Sequence, residues 1–340
     1  MIQEYIDKGL INEQSHPHNP EIKIYNYTQL CQYSKSWDSV TTQCRGLIVN
    51  SETNEVLARP FPKFFNYQEH IAYKWSLPSG KPIVTEKLDG SLGILYSVEG
   101  LPYIATRGSF TSEQAQWATE WWRNNVGQLP PEGETHLFEI IYPQNKIVVD
   151  YDFSGLVHLA TIDIETGNQI ESNPWPEVVR KAKVIECDNL DTLLKMDEPN
   201  SEGFVLYYPE SNVRMKIKFP DYVRLHKVVT GLSEKGVWEI LKDGKDVSDM
   251  VKDVPDELFN WVNSVKFKLL GDYEHIRNEC LDVLRECPQG DRKESAAFIK
   301  EYSSFPGIVF AMLDGKDYRP LIWNIVKPKG QTVFKKDIDA

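Results

Sequence analysis

The sequence is poor in features that mark several large classes of protein. Its 340 residues include five scattered cysteines and no CxxC pair, which argues against a zinc–cysteine site or a disulfide framework and favours a reducing compartment. No apolar run approaches the ~18 residues of a membrane span, and the N-terminus lacks the basic and apolar regions of a signal peptide. We therefore expect a cytoplasmic protein that does not bind membranes.

Several familiar motifs are missing as well. The sequence contains neither GxxxxGK[ST] nor GxGxxG, so a P-loop and a Rossmann phosphate site are excluded. It has no HExxH zinc motif and no GxSxG nucleophile elbow. The net charge of −12 argues against general nucleic-acid binding. A local basic channel stays open, because residues 214–227 carry five basic side chains and one acidic one.

The pattern of the chain changes near residue 230. The length suits two domains of the usual ~150 residues. Short strands with a few helices are predicted before this point, and a helical pattern follows it. The sequence predicts an α+β fold of antiparallel sheets with flanking helices, followed by a smaller all-helical C-terminal domain. We divide the chain into residues 1–230 and 231–340.

Individual elements can be placed within the first region. Thr111 and Gln114 have capping-box spacing, which predicts a helix start. Apolar runs predict strands that include residues 136–142, 147–149 and 156–164. Residues 204–208 and 213–219 read as a hairpin. The second of these strands alternates apolar and basic residues, so its cations are predicted to share one face.

Lys87 lies in the run Glu86-Lys87-Leu88-Asp89-Gly90-Ser91, between two β-prone stretches. A lysine amine at the end of a buried strand can act as a nucleophile. The ordinary lysine pKa of about 10.4 means that burial or a nearby cation must help such an amine to lose its proton. In the other interpretation, Asp89-Gly90 is the turn of a β-hairpin and Lys87 is a solvated edge residue.

Charged residues occupy strand positions that a plain β core would avoid. An unpaired buried charge is costly, so such groups must pair with each other or meet a charged ligand. A nucleoside triphosphate with its metal ion would account for a set that is mostly cationic but contains two carboxylates. The set comprises Arg45, Lys63, Glu139, Glu202, Lys216 and Lys218.

These residues give the chain a resemblance to the covalent nucleotidyltransferases, most closely the phage-type RNA ligase 1 group of ATP-dependent RNA ligases. The order and spacing of its motifs agree from about residue 20 to residue 230. Lys87-Leu88-Asp89-Gly90 resembles motif I (KxDG), Phe138-Glu139 motif III, Glu202-Gly203 motif IV and Lys216-Ile217-Lys218 motif V. Upstream and intervening elements of the group are matched by Cys44-Arg45-Gly46, Lys63-Phe64-Phe65-Asn66 and Arg107-Gly108-Ser109.

The resemblance implies a nucleotidyltransferase domain in residues 1–230, in which Lys87 takes AMP from ATP. The residues that it implies at the ATP are Tyr25, Arg45, Lys63, Glu86, Gly90, Glu139, Glu202, Lys216 and Lys218. Asp89, Glu139 and Glu202 are implied to hold Mg²⁺, with Mn²⁺ as an alternative, through water. Lys216 and Lys218 would contact the α-phosphate, and Arg45 and Lys63 the β- and γ-phosphates.

The implied activity is the joining of RNA 5′-phosphate and 3′-hydroxyl ends, through lysyl-AMP and 5′-adenylated RNA, in RNA repair or end joining. Single-stranded or tRNA-like RNA is the expected partner, with a 5′-end-healing kinase as a second candidate and residues 231–340 helping to select the RNA.

Three aspartates are candidates for a second metal site, with a solvated loop as the alternative: Asp243, Asp246 and Asp249. Two other interpretations stay open: a non-catalytic nucleotide- or RNA-binding relative, and a DNA ligase or capping-type nucleotidyltransferase.

Overall fold

The computed structural model describes residues 2–187, 189–229, 232–251, 256–288 and 290–329, without the side chains of 228–229, 249–250 and 256–257. The chain forms two compact units, the first ending at His226 and the second beginning at Lys227. The first unit contains antiparallel sheets with flanking helices, and the second is helical. The predicted α+β class is therefore confirmed.

The strands of the first unit form three sheets. Sheet I has the order β1-β2-β3-β4, sheet II the order β11-β10-β9-β7-β8 with β12 beside β10, and sheet III the order β5-β14-β13-β6. The strands are β1 (Ile11–Ser15), β2 (Ile22–Tyr27), β3 (Arg45–Asn50), β4 (Val56–Ala58), β5 (Phe65–Asn66), β6 (Ile83–Lys87), β7 (Ser91–Val98), β8 (Leu101–Ala105), β9 (Glu134–Ile141), β10 (Gly155–Asp163), β11 (Gln169–Ile170), β12 (Arg180–Lys181), β13 (Gly203–Tyr208) and β14 (Val213–Lys218).

Among the residues that the structure describes, five α-helices lie within the first unit, and a sixth leads into the second. They are α1 (Ile2–Asp7), α2 (Gln29–Tyr33), α3 (Tyr67–Ala72), α4 (Glu113–Asn125), α5 (Leu190–Lys195) and α6 (Pro220–Val229). Sheet II is buried on both faces. Ile94 and Leu137 pack in a cluster with Ile48 of sheet I, and Leu95 packs in another cluster with Trp122 of α4.

Sheet III brings together sequence elements that are far apart. The hairpin of β13 and β14 is confirmed, with Gly203 opposite Lys218 in antiparallel register. Strand β6 pairs with the other edge of β13, which sets Lys87 opposite the same Gly203. Strand β7 pairs instead with β8 and β9 in sheet II. The hairpin interpretation of Asp89-Gly90 is therefore wrong, since the chain crosses there from one sheet to another.

Two other local predictions differ from the structure. Helix α4 is capped by Ser112 rather than Thr111, and the Ser112 side chain accepts a hydrogen bond from the Ala115 N–H at 3.2 Å. The predicted strand at 147–149 is not a strand. The backbone N–H groups of Val148 and Val149 donate to the Asp89 carboxylate instead of to a sheet neighbour.

The second unit follows the predicted helical pattern. Its elements are α7 (Glu234–Lys242), a 3₁₀ turn (Val247–Val251), α8 (Asp256–Glu286), α9 (Arg292–Tyr302), α10 (Pro306–Leu313) and α11 (Arg319–Ile325). An apolar cluster that includes Ile276, Ile299 and Ile322 joins α8, α9 and α11. None of the helices in the described part of the chain combines the length and apolar character of a membrane-crossing segment.

Candidate active site

Lys87, Glu202 and Lys218 form an ionic triad around the buried Glu202 carboxylate at one end of sheet III, and the Lys87 side chain is 21% exposed. Lys87 Nζ lies 2.7 Å from Glu202 Oε2, and Lys218 Nζ lies 2.9 Å from Glu202 Oε1. Glu202 is 3% exposed. Burial by itself raises the pKa of Glu202, but the attraction of Lys218 and Lys87 outweighs it and leaves that pKa lowered. Glu202 is thus held as a carboxylate between two ammonium groups.

Gly203 permits the close strand pairing that builds this triad. Its φ of +141° is rarely adopted by residues with a side chain, and a Cβ there would lie 2.0 Å from the Ile217 carbonyl oxygen. A glycine at this position lets β13 sit between β6 and β14 with Glu202 at its start. The local backbone therefore requires a glycine at position 203, and the two lysines beside position 202 require a carboxylate there.

Glu139 is a second carboxylate near Lys87, and its electrostatic environment is different. Its Oε1 accepts a hydrogen bond from the Gly90 N–H at 2.9 Å. Burial raises the pKa of Glu139 to about 7; the positive charge of Lys87 opposes this shift, and the negative charge of Glu202 adds to it. Near neutral pH, Glu139 can therefore hold or release a proton, whereas Glu202 stays ionised.

The Asp89 carboxylate and N–H make several hydrogen bonds within the protein, and its predicted role at a hydrated metal ion stays a prediction. Its Oδ2 accepts hydrogen bonds from the Val148 and Val149 N–H groups, both at 2.8 Å. Its Oδ1 accepts the Tyr222 hydroxyl at 2.7 Å, and its own N–H donates to the Tyr151 hydroxyl at 2.7 Å. These contacts favour a role in fixing the loop after Lys87 over direct contact with a metal ion.

Gly90 and Glu86 also have clear partners within the protein. A Cβ on Gly90 would lie 2.5 Å from the Ile140 carbonyl oxygen, so strand β9 already explains the glycine without a nucleotide. The Glu86 carboxylate accepts a hydrogen bond from the Lys183 N–H at 2.8 Å. The predicted contacts of both residues with ATP stay predictions.

Lys63 occupies an aromatic cage. Its ammonium lies 5.5 Å from the Tyr27 ring and 5.4 Å from the rings of both Trp37 and Phe65. Lys63 is 8% exposed, so its charge is stabilised by the ring faces as well as by polar neighbours. The parallel pairing of β5 with β14 then sets Asn66 beside Lys216, which is also buried.

Arg45 and Arg107 lie near the same tyrosine. Arg107 Nη1 donates to the Tyr27 hydroxyl at 3.1 Å. Arg45 is opposite Asn26 in the pairing of β3 with β2, and its guanidinium lies 5.6 Å from the Phe64 ring. Tyr27 therefore links the Lys63 and Arg107 elements, which are separated in the sequence.

Tyr25, the tyrosine predicted at the nucleotide, is in another environment. It packs with Ile11 and Leu47 in an apolar cluster at the face of sheet I next to α1. The pairing of β2 with β3 contains a bulge, since Tyr25 is opposite Leu47 and Asn26 is opposite Arg45, which leaves Gly46 of β3 as the extra residue. The predicted contact of Tyr25 with the nucleotide stays a prediction, and Tyr27 is the tyrosine of β2 that contacts Lys63 and Arg107.

Four aromatic residues that the sequence prediction did not include contact the predicted site residues: Tyr27, Trp37, Tyr151 and Tyr222. Tyr222 follows motif V by four positions, at the start of α6, and this proximity was the one available signal. The other three contact the motifs only through the tertiary fold.

The carboxylates at the site fit Mg²⁺ as partial ligands. Among the described residues, no group of three histidine, cysteine or acidic side chains is arranged to hold a metal by itself. Mg²⁺ commonly takes one or two carboxylates together with substrate phosphates and water, and Glu139 and Glu202 suit that arrangement. The second site predicted in the second unit has no such support: Asp243 and Asp246 pair with Lys245 and Lys266, and the side chain of Asp249 lies outside the described residues.

Comparison with known proteins identifies similar chains. A family model described as RNA ligase matches residues 43–222, more than half of the chain. The chain is 30% identical over 246 residues to a putative bifunctional polynucleotide kinase/RNA ligase of Autographa californica nuclear polyhedrosis virus, covering 61% of this chain and 35% of that protein. It is 29% identical over 258 residues to a putative RNA ligase of Thermovibrio ammonificans, covering 68% of this chain and 66% of that one.

The chain thus spans less than two thirds of the length of either relative. Among solved structures, an RNA ligase of Naegleria gruberi with PPi matches at 19% identity and a TM-score of 0.38, covering 49% of this chain and 57% of the other.

Proposed function

Because this chain belongs to the RNA ligase family, we propose that it is an ATP-dependent RNA ligase that joins 5′-phosphate and 3′-hydroxyl ends. The observation that carries the proposal is the Lys87–Glu202–Lys218 triad around the buried Glu202 carboxylate, with contacts of 2.7 and 2.9 Å. A buried ionic cluster is costly to maintain for stability alone. Its lysine at the KxDG position is the nucleophile that the family chemistry requires.

In the first step, the deprotonated Lys87 Nζ attacks the α-phosphorus of ATP. A P–N bond forms, the bond from that phosphorus to the bridging oxygen breaks, and pyrophosphate leaves. Lys216 and Lys218 neutralise the α-phosphate, and Arg45 and Lys63 neutralise the departing pyrophosphate. Lys218 is already in place, since Glu202 positions its ammonium beside that of Lys87.

The divalent metal, when bound, supplies positive charge to the phosphate oxygens. Glu139 and Glu202 would hold it, in part through water. Asp89 would act through the protein instead, because its carboxylate bonds keep the Lys87–Gly90 loop in one conformation.

The second and third steps use the same surface. The RNA 5′-phosphate attacks the lysyl-AMP, the P–N bond breaks, and the lysine amine is released with the RNA carrying a 5′-adenylate. The 3′-hydroxyl of the other end then attacks the RNA phosphorus, and AMP leaves. We propose single-stranded or tRNA-like RNA as the substrate and a role for the helical second unit in selecting it.

A 5′-end-healing kinase fits this reaction, because the substrate must carry a 5′-phosphate. One relative is named as a bifunctional polynucleotide kinase/RNA ligase, which supports a kinase acting before this chain, in the same or another polypeptide. We place the reaction in the cytoplasm, where the five cysteines would stay reduced.

Covalent labelling tests the first step. The chain is incubated with α-labelled ATP and Mg²⁺ and separated on a denaturing gel. We expect label on the wild type, none on Lys87→Ala, and full label on Lys183→Ala, a control at an exposed lysine. An unlabelled wild type would overturn the ligase proposal in favour of a non-catalytic relative. Label on Lys87→Ala would overturn the choice of nucleophile, and labelling by GTP instead of ATP would indicate a capping-type enzyme.

Strand joining tests the later steps. We expect 5′-phosphorylated single-stranded RNA to be joined or circularised faster than a nicked duplex or single-stranded DNA. Faster sealing of nicked DNA would identify a DNA ligase instead.

A further inference from the structure

We infer that Tyr73 and Trp75 form an aromatic platform on which bases of the single-stranded RNA substrate stack; the identity of the strand as RNA rests on the proposed function. The two rings lie beyond α3, in the connection from α3 to β6. Their centroids are 5.2 Å apart with a tilt of 32°. Neither residue belongs to the motifs that predict the ATP site.

The platform is exposed, and it lies in a stretch of the sequence that is rich in exposed apolar side chains. Tyr73 is 44% exposed and Trp75 is 40% exposed. Of the fifteen large apolar residues that are exposed in the described part of the chain, five lie between residues 71 and 83. Single exposed apolar residues are common, but a cluster of them indicates a binding surface.

Two neighbouring rings, the half-buried Phe65 and the buried His70, hold the platform in position. Trp75 lies edge-on to Phe65 at 5.0 Å and to His70 at 5.2 Å. The Trp75 N–H donates to the His70 carbonyl oxygen at 2.9 Å. His70 is 9% exposed, so the platform has a fixed base. A ring that is fixed before binding loses little conformational entropy when a base stacks on it.

The charge around the platform suits a polyanion. Lys35 donates a hydrogen bond to the Tyr73 hydroxyl, and its ammonium lies 4.5 Å from the Tyr73 ring. Lys74 lies between the two aromatic residues and is exposed. Residues 59–81 contain four basic side chains and one acidic one, in a chain whose net charge is −12. Stacking rings next to cations are the usual means of binding single strands without base specificity.

The platform is continuous with the candidate active site. Phe65 touches Trp75 and also forms one wall of the Lys63 cage, with its ring 5.4 Å from the Lys63 ammonium. Through β5 and β14, the residue after Phe65 is paired with Lys216. One ring therefore separates the platform from the cations proposed to contact the triphosphate. A strand stacked on the platform would lie beside the place where its end reacts.

Measuring lysyl-AMP formation and AMP transfer separately distinguishes a loss of RNA binding from a loss of reaction with ATP. We expect the double variant Tyr73→Ala/Trp75→Ala to form lysyl-AMP within about twofold of the wild type, since that step needs no RNA. Transfer of AMP to a 5′-phosphorylated single-stranded RNA should need at least about tenfold more RNA, given the usual loss on removing a stacking ring. Trp75→Phe, which keeps a ring, should restore most of the RNA affinity. Leu101→Ala, at an exposed apolar residue on β8, should match the wild type.

A direct measurement of RNA binding tests the inference without depending on catalysis. Anisotropy of a fluorescent RNA 12-mer should show the same weakening in the double variant. Lys35→Glu/Lys74→Glu should lower the salt dependence of binding more than Lys8→Glu does. A wild type that binds this RNA but forms no lysyl-AMP would remove the ligase proposal and leave the platform standing.

Three results would overturn the inference. The first is equal RNA affinity in the double variant and the wild type, with both folded by thermal melting. The second is failure of Trp75→Phe to bind better than Trp75→Ala. The third is a change in sedimentation of the double variant with no change in RNA binding, which would identify the surface as a contact between copies of the chain.

Discussion

Charged side chains are arranged differently in the two compact units. In sheet III of the first unit, Lys87 and Lys218 share the buried Glu202, and these partners come from distant parts of the sequence. In the second unit, Arg277 pairs with Glu274 and Arg285 with Asp282, each three positions apart on the exposed side of α8. The apolar cluster of that unit is built mainly from residues such as Ile276 and Ile299.

The difference shows which charges need a functional explanation. Pairs three or four residues apart on a helix form readily at a surface and contribute little to stability. A triad that surrounds a buried carboxylate and draws its members from three separate segments costs desolvation energy and needs several strands to align. The helix pairs of the second unit follow from helix geometry. The triad of the first unit is the arrangement expected at a site that binds a charged ligand.

Removing the Glu202 carboxylate should have the largest effect, and this effect should differ most from that of removing a charge in the second unit. Glu202→Ala would leave two ammonium groups without their shared carboxylate, at a cost of about 3–5 kcal/mol. We expect faster amide hydrogen exchange in β13 and β14 and a loss of lysyl-AMP formation. Asp282→Ala on α8 should leave exchange throughout the chain close to that of the wild type. Equal exchange in the two variants would contradict the contrast drawn between the units.

The pH dependence of Glu139 should give an intermediate effect. Its folded pKa of about 7 is above the ordinary 4.5, so the folded state binds a proton more tightly than the unfolded state does. This contribution to stability is complete below about pH 4.5 and is lost as the pH rises to about 7. Urea unfolding at several pH values should show this fall in the wild type and not in Glu139→Gln. An unfolding midpoint that changes with pH in the same way in both would contradict the assignment.

The smallest predicted effect concerns a glycine in the second unit. A Cβ on Gly271, within α8, would meet no other atom within 4 Å. Gly271→Ala should therefore stabilise the helix by about 0.5–1 kcal/mol, measured by the urea midpoint.

The matched substitution in the first unit, Gly203→Ala, should destabilise sheet III, because its Cβ would lie 2.0 Å from a carbonyl oxygen. Stabilisation by both substitutions would show that Gly203 is not constrained by its neighbours.

Much of the fold could be predicted from local patterns. The alternation of apolar and basic residues in 213–219 predicted β14, and the helical period after residue 230 predicted α8 to α11. The strand predicted at 147–149 was wrong, although its residues favour a strand. The Asp89 carboxylate binds the N–H groups that a neighbouring strand would have used, and nothing at positions 147–149 indicates this.

The candidate site, like the fold, could be predicted only in part from the sequence. The order of the motifs in the sequence was enough to select Lys87, Glu202 and Lys218, and the structure brings these three into contact. Tyr27 could not be distinguished from Tyr25, because both lie on β2 and only the folded structure shows that Tyr27 contacts Lys63 and Arg107. Asp89 was predicted to hold the metal through water, and that role stays a prediction; only the structure shows its contacts with Tyr222 and two backbone N–H groups.

By itself, the sequence determined the chemistry available to this protein. Residue types and the order of the motifs predict a lysine nucleophile, cations for phosphate and carboxylates for a metal, because these predictions depend on functional groups and not on position in space. The tertiary structure decided which groups act together. Strands β6 and β7 belong to different sheets, and only the pairing of β6, β13 and β14 brings Lys87 and Lys218 to one carboxylate. Such long-range pairing depends on the packing of the whole unit, which no local pattern encodes.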